Sequence, residues 1–403
     1  MSKHQTFICA LCTALAFAAQ SQADSLPRLT SFASTHYDIH TNVAMDKARE
    51  IGRHMDAVFE EYTKRFHAFG KGATPRMPLY LLKTQQEYLD FMRGKGVDAT
   101  GTGGIFFIRP DAKGLATWLD NRPSWITLET LQHEGFHQFA YACIGTKLPL
   151  WVNEGMAEYF GDAILVDKRL RVGICPNRRL QSVKQAVIDR KTIDFDELLT
   201  TQPGKWHQTL VRSPERGRLQ YDQSWSMVYF LIHGEDGRYR AAFEKYLTVV
   251  AKGMESGEAF KHAFGAKDTV AFRRQWEKFA ATVEPDAIDT AVGRMRFLAQ
   301  GIQLLHERRE TPPSSLEDLR KKLAAIGFRA VRIENGVRTE VSASDASLYV
   351  FNRDNGSSAT FELVKSSETG VPPGVRATGL QPQPTLIWTR DDKGELLAEV
   401  DFR

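Results

Sequence analysis

Cysteine is scarce in this chain, no apolar run is long enough to cross a membrane, and neither sign of charge dominates. Four cysteines in 403 residues exclude a domain built on a disulfide framework. The longest apolar stretch, near 7–19, falls short of the roughly 20 residues that a membrane span needs. Lys and Arg total 53 against 49 Asp and Glu, a formal net charge of +4, which is too mild and too dispersed for a nucleic-acid surface. Short basic stretches such as Arg178-Arg179 and Arg320-Lys321-Lys322 are expected to be solvated helix faces. Repeats and low-complexity tracts are missing too, so solenoids and fibrous folds drop out. What remains is globular: 42% hydrophobic residues with 24 Phe, 11 Tyr and 7 Trp are too many for a solvated chain.

The chain opens with Lys3, an apolar run from Phe7 to Ala19 and then Ser21-Gln22-Ala23. That is the pattern of a secretory signal peptide over 1–23, cleaved after Ala23, and it predicts an exported protein, periplasmic or secreted. Two cysteines then remain, Cys143 and Cys175. In an oxidising compartment they are a candidate disulfide, contributing about 3–4 kcal/mol.

Along the remainder, Ala44, Ala48, Ile51, Met55, Val58, Tyr62 and Phe66 fall at helical spacing. Met77–Leu82 has the length of a strand, and Thr84-Gln85-Gln86-Glu87 is a capping box that starts a helix. Ile105–Ile108 and Leu115–Leu119 flank Pro110, Asp111 and Gly114, as in a hairpin. Helical patterning then runs from about 125 to 283. Residues 284–328 are expected to form a helical connector. Beyond 329, Asn335-Gly336, Asn355-Gly356 and Asp392-Lys393-Gly394 punctuate alternating runs and predict a small β-hairpin domain, 329–403, with a loop over the Gly/Pro-rich stretch 370–384. The expected fold class is α+β: a mixed sheet layer plus a helical lobe over 24–283, the connector, and the small antiparallel module.

His133-Glu134-Gly135-Phe136-His137 carries the chemistry. Residues i and i+4 of a helix share a face about 6 Å apart, so both imidazoles can bind one Zn²⁺. Glu134 then lies beside the metal, placed to take a proton from its bound water. Gly135 is a poor helix residue, and Gly145 is the expected helix stop. The metzincin pattern would require Gly at 140 and His at 143, where Ala140 and Cys143 stand, so that class is excluded. After sixteen intervening residues comes Glu154, within Trp151-Val152-Asn153-Glu154-Gly155-Met156-Ala157-Glu158-Tyr159-Phe160. A helix–turn–helix there would return Glu154 to the metal. Glu158, one turn on, would accept the outer ring N–H of a ligating histidine.

These two motifs resemble those of the gluzincin metallopeptidases, the group that includes thermolysin and the zinc aminopeptidases. They are closest to those of exported gluzincin-like bacterial proteins, over about 37–283. The resemblance implies one Zn²⁺ per chain on His133, His137 and Glu154, with Glu134 as general base and Glu158 supporting a ligand. The Gly-x-Met-x-Asn element of the aminopeptidases is absent, since the nearest stretch reads Gly103-Gly104-Ile105-Phe106-Phe107. A donor for the developing oxyanion is still needed. Tyr221, at the start of an apolar helical run, is the candidate and His207 a weaker one. The remaining histidines, His54 among them, lack ligand spacing and are expected at the surface or its boundary. Ser224 has no nucleophile-elbow context.

The leading expectation is an exported zinc metallopeptidase acting on a peptide or protein substrate, bound by strand addition near 104–108. The alternatives are a catalytically silent gluzincin-fold binding or scaffold protein of the cell envelope, and a protein in which zinc only staples helices.

Overall fold

In the first sheet, Tyr37, Ile39, Leu79, Leu81 and Leu115 face one side while Leu82, Ile105, Phe107, Ala116 and Trp118 face the other, so both sides require cover. The computed structural model describes residues 27–402 apart from 70–74, 121, 146–147, 167–168, 266–268, 335–336, 350, 353–357 and 392–393. The expected signal peptide, 1–23, lies outside the described residues. Chain order is β1 (Thr30–Ala33), β2 (Tyr37–Thr41), α1 (Met45–Arg65), β3 (Met77–Leu82), α2 (Gln85–Gly94), β4 (Gly104–Ile108) and β5 (Lys113–Trp118). The sheet runs β1-β2-β3-β5-β4. Its central pairs β2–β3 and β3–β5 are parallel, and β1–β2 and β4–β5 are antiparallel. The predicted hairpin therefore leaves β4 as an edge strand. α1 covers one face with the predicted apolar stripe. α2 covers the other, opened by the predicted capping box: Glu87 N donates to Thr84 Oγ1 at 3.2 Å and Thr84 N to Glu87 Oε2 at 2.9 Å.

The helical lobe begins with α3 (Ser124–Phe139), which widens into a π turn over Ala140–Ile144 and stops at Gly145, φ 104°. α4 (Leu150–Gly161) folds back along α3, followed by a short antiparallel pair, β6 (Ile164–Val166) and β7 (Arg169–Arg171). That pair interrupts a stretch whose sequence pattern is helical. Then come α5 (Asn177–Ile188), α6 (Phe195–Thr200), α7 (Pro203–Arg212), α8 (Pro214–His233), α9 (Arg240–Ala251), α10 (Ser256–Phe264) and α11 (Val270–Thr282). Tyr62, Phe66, Phe136, Phe139 and Phe160 form one aromatic cluster that fixes α1, α3 and α4 together. No described helix is long and apolar enough to cross a membrane.

Two contacts set the spacing of these helices. A Cβ on Gly155 would lie 2.5 Å from the Ser224 carbonyl oxygen, so α4 and α8 touch backbone to backbone. Gln132 of α3 donates from Nε2 to the carbonyls of Phe160, Gly161 and Ala163 at 2.9–3.0 Å, satisfying the open C-terminal end of α4. With its amide nitrogen so used, Gln132 offers Oε1 as acceptor to His54 Nε2 at 2.8 Å, which places the imidazole proton on Nε2. His54 is 5% exposed, not the surface residue its isolated spacing suggests, and burial lowers its pKa to about 4.

The C-terminal part comprises α12 (Ala287–Glu307), α13 (Leu316–Ala325), β8 (Arg329–Glu334), β9 (Val337–Ser342), β10 (Phe351–Asn352), β11 (Ser358–Val364), β12 (Gly374–Thr378), β13 (Pro384–Arg390) and β14 (Leu396–Phe402). β10 to β14 form an antiparallel sheet in sequence order, with β8–β9 a separate hairpin. The β8–β9, β10–β11 and β13–β14 pairs flank the three predicted turns; Asn335-Gly336, Asn355-Gly356 and Asp392-Lys393 themselves lie outside the described residues. Two expectations need correcting. The stretch 370–384 contains β12, whose Val375 and Ala377 are buried. The 284–328 segment is no bare connector: Met295, Leu298, Ile302, Leu319 and Leu323 share one core with Phe361, Val375 and Leu386. The helices supply the apolar face that this sheet needs.

The candidate disulfide is also corrected. Cys143 and Cys175 are not bonded to each other. Cys143 sits in the π turn near Tyr37 of β2, whereas Cys175 is buried near Tyr229 of α8, on different flanks of the lobe.

Gly155→Ala is expected to destabilise the fold by about 1–3 kcal/mol through overpacking. At Gly135 the added carbon meets only the flexible end of Met55, at 2.8 Å, and Tyr62 Oη at 3.3 Å. Gly135→Ala should therefore stay within about 1 kcal/mol of wild type, helped by helix propensity. Urea unfolding distinguishes the two. Because His54 titrates near 4 when folded and near 6.5 when unfolded, its contribution is complete above pH 6.5 and declines as pH falls toward 4. The amount is on the order of 3 kcal/mol. His54→Gln, which keeps a donor toward Gln132, should flatten that part of the stability–pH curve.

Candidate metal centre

α3 presents His133 and His137 on one face because they are four residues apart, and the reversal through Gly145 returns α4 so that Glu154 meets both. The two Nε2 atoms are 3.2 Å apart, and Glu154 Oε2 lies 3.6 Å from His133 Nε2 and 3.5 Å from His137 Nε2. Tetrahedral ligands at the usual bond lengths sit about 3.3 Å from one another, so these three donors fit a single metal ion. They form the one group of three or more metal-capable side chains among the described residues. Two imidazoles and a carboxylate leave a tetrahedral shell one ligand short. His137 Nδ1 is buried without a hydrogen-bond partner, so its ring is held by packing and by what Nε2 faces.

The field here favours positive charge. Burial opposes an imidazolium at His133, yet Glu158 and Glu154 outweigh it and raise its pKa well above the ordinary value. Burial would lift Glu154 and Glu158, but the histidines, and Arg179 for Glu158, hold both at about 2. A pocket that draws protons onto its imidazoles this way also draws a metal cation.

Glu134 points elsewhere. Its Oε2 accepts the Phe106 N–H of edge strand β4 at 2.8 Å, fixing the carboxylate between the ligand cluster and the sheet edge. Glu158 stands where the sequence places it, Oε2 3.7 Å from His133 Nδ1. Tyr221 is partly buried on α8, one turn before Ser224, with its ring edge-on to Trp206 at 5.2 Å. His207, on α7, is exposed.

Arg179 is what sequence reasoning missed. Far from lying on a solvated face, it is 4% exposed. Its Nη2 pairs with Glu158 Oε2, its Nε with Asp162 Oδ2 at 2.8 Å and its Nη1 with Asp222 Oδ1 at 3.4 Å, and Glu129 Oε1 is 3.9 Å from Nη2. Burial raises Asp162 and Asp222 in spite of Arg179, even though Arg178 and Arg218 add positive charge at the edge of the cluster. A signal was present. Glu154, Glu158 and Asp162 recur every four residues along α4, an acidic stripe on an otherwise apolar helix. Arg179 in turn shares a face of α5 with Val183 and Ala186, both buried.

A cleft of ≈ 1070 Å³ opens on the other side of α3, between α1, α12 and β13–β14. None of the three candidate ligands, nor Glu134, lines it, although His54, Glu129 and Asp162 do. At its rim Ser124 N, in the first turn of α3, donates to Glu399 Oε1 of β14 at 2.8 Å.

The sequence model of a family described as "Protein of unknown function (DUF1570)" matches residues 127–252, a segment holding the three candidate ligands, Glu134, Glu158, Arg179 and Tyr221. Comparison with curated proteins finds no match.

Proposed function

We propose that the chain is an exported zinc metallopeptidase, or a closely related amide hydrolase, of the gluzincin type. The observation that carries the proposal is a three-donor shell, His133, His137 and Glu154, with a carboxylate one residue along the helix pinned by an edge strand. A site that merely stapled helices would close with a fourth protein ligand and have no use for that carboxylate. Two imidazoles and one carboxylate suit Zn²⁺ among the common divalent ions. When bound, the metal supplies Lewis acidity, polarising a carbonyl and acidifying water.

The residues of the chain do the rest. Glu134 accepts the proton of the attacking water and passes it to the leaving amine nitrogen. The Phe106 N–H orients one of its oxygens, leaving the other for the water. Tyr221 is the proposed donor to the substrate oxygen as negative charge develops there. The edge position of β4 supports an extended peptide as substrate, aligned by main-chain hydrogen bonds. The outward Phe106 N–H is already given to Glu134, so a peptide on this edge pairs with the strand's other outward backbone groups.

Zinc content and turnover test the reading together. Wild type and Glu134→Gln are each expected to hold close to one zinc per chain, and Glu154→Ala far less. Glu134→Gln should lower hydrolysis of a peptide library by roughly 10²–10⁴-fold. Equal turnover in Glu134→Gln, or undiminished zinc in Glu154→Ala, would reject this reading; zinc bound with no turnover of any peptide would favour the silent binding-protein alternative.

A further inference from the structure

We propose that Arg179 is a positioning residue of the metal centre, setting its zinc affinity through Glu158. The inference rests on the metal-centre reading above. A histidine can ligate through Nε2 only when its proton sits on Nδ1, and an acceptor at Nδ1 selects that tautomer and fixes the ring. For His133 the carboxylate that faces Nδ1 is that of Glu158, an ionic contact at 3.7 Å. Glu158 has carboxylate neighbours in Glu129, Asp162 and Glu154, so its place depends on a cation close by. Arg179 is the cation in direct contact, with Arg178 adding to the field, and the oxygen Arg179 binds, Oε2, is the one facing His133.

The guanidinium is itself immobilised from three directions. Nε is held by Asp162 just beyond α4, Nη1 by Asp222 of α8, and Nη2 by Glu158. A planar fork with its three nitrogens engaged cannot rotate without breaking a charged contact, so the orientation of α4, α5 and α8 is passed to one carboxylate oxygen and from there to one imidazole. Lysine, a point charge on a flexible stem, could neutralise part of the cluster but could not hold three partners in one plane. The five members of this network, Glu129, Glu158, Asp162, Arg179 and Asp222, all lie within the 127–252 family match.

The test is zinc affinity of the full chain, measured by chelator competition, with the melting temperature of the chelated protein recorded alongside. Arg179→Lys and Glu158→Gln are each expected to weaken zinc binding by about 10–100-fold. The double variant should be little weaker than either single, because both act on the same ring. Unchanged zinc affinity in Arg179→Lys, with or without a lower melting temperature, would overturn the proposal and leave Arg179 a fold-stabilising residue. Losses that multiply in the double variant would also overturn it. If Arg179→Lys does not fold, Asp222→Asn loosens the guanidinium from its far side and should weaken zinc binding in the same direction, unchanged affinity again counting against the idea. A wild-type chain that takes up no zinc removes the metal-centre reading and this inference with it; wild-type uptake with unaltered variants removes this inference alone.

Discussion

Everything around the candidate site follows from the cost of placing several carboxylates out of water on one helix. Glu154 and Glu158 of α4 and Asp162 just after it are shielded from bulk solvent, and an unpaired buried charge is among the most expensive features a fold can carry. Two histidines answer Glu154, Arg179 answers the other two, Asp222 faces the guanidinium from Nη1, and Glu129 approaches the same Nη2 that pairs with Glu158. Such a cluster is weak evidence for stability, since a well-packed apolar core of the same volume would do as well or better. It is better understood as the support of a charged site that a purely apolar core could not surround.

That support needs helices held to within a fraction of an ångström. Gly155 allows α4 to lie on the backbone of α8, which carries Asp222, and Gln132 ties the C-terminal carbonyls of α4 to the motif helix. The same α3 thus presents ligands on one face, the Gln132–His54 contact on another and aromatic packing on a third. A helix committed on so many sides has little freedom to shift, which is the preorganisation that a metal site or a positioned base requires.

Much of this was legible in the sequence where one local rule decides the outcome. α1, β3, the capping box, the β4–β5 hairpin and the Gly145 stop follow from periodicity and turn chemistry, and the spacing of His133, His137, Glu154 and Glu158 follows from helix geometry. What was not legible depends on distant partners. Arg179 looked solvated because its four carboxylates come from α3, α4 and α8 or the residue after α4. His54 looked like a surface residue because Gln132 is 78 positions away. α12 looked like a connector because the sheet it covers comes later in the chain, and Cys143 and Cys175 looked like a pair only because no other cysteines remained. The N–H that orients Glu134 belongs to a backbone group with no side-chain signature at all.

The 127–252 family match sharpens the division of labour. It contains the three candidate ligands, the proposed base Glu134 and the carboxylates and arginines around Arg179, so the charges that surround the candidate site all come from that segment. It does not contain β4, which orients Glu134 through Phe106, nor Glu399, which accepts the Ser124 N–H at the start of α3. Nothing in the segment itself replaces either contact: α3 has Pro123 at its N-cap and no side-chain cap of its own, and a carboxylate near a helix N-terminus also complements the dipole. The candidate ligands and their charge partners thus lie within the matched segment, while the helices that carry them are also braced from outside it: by Tyr62, Phe66 and His54 of the α1 region, by β4 at Glu134 and by β14 at the first turn of α3. The candidate site therefore depends on both flanking parts of the chain, not on the matched segment alone.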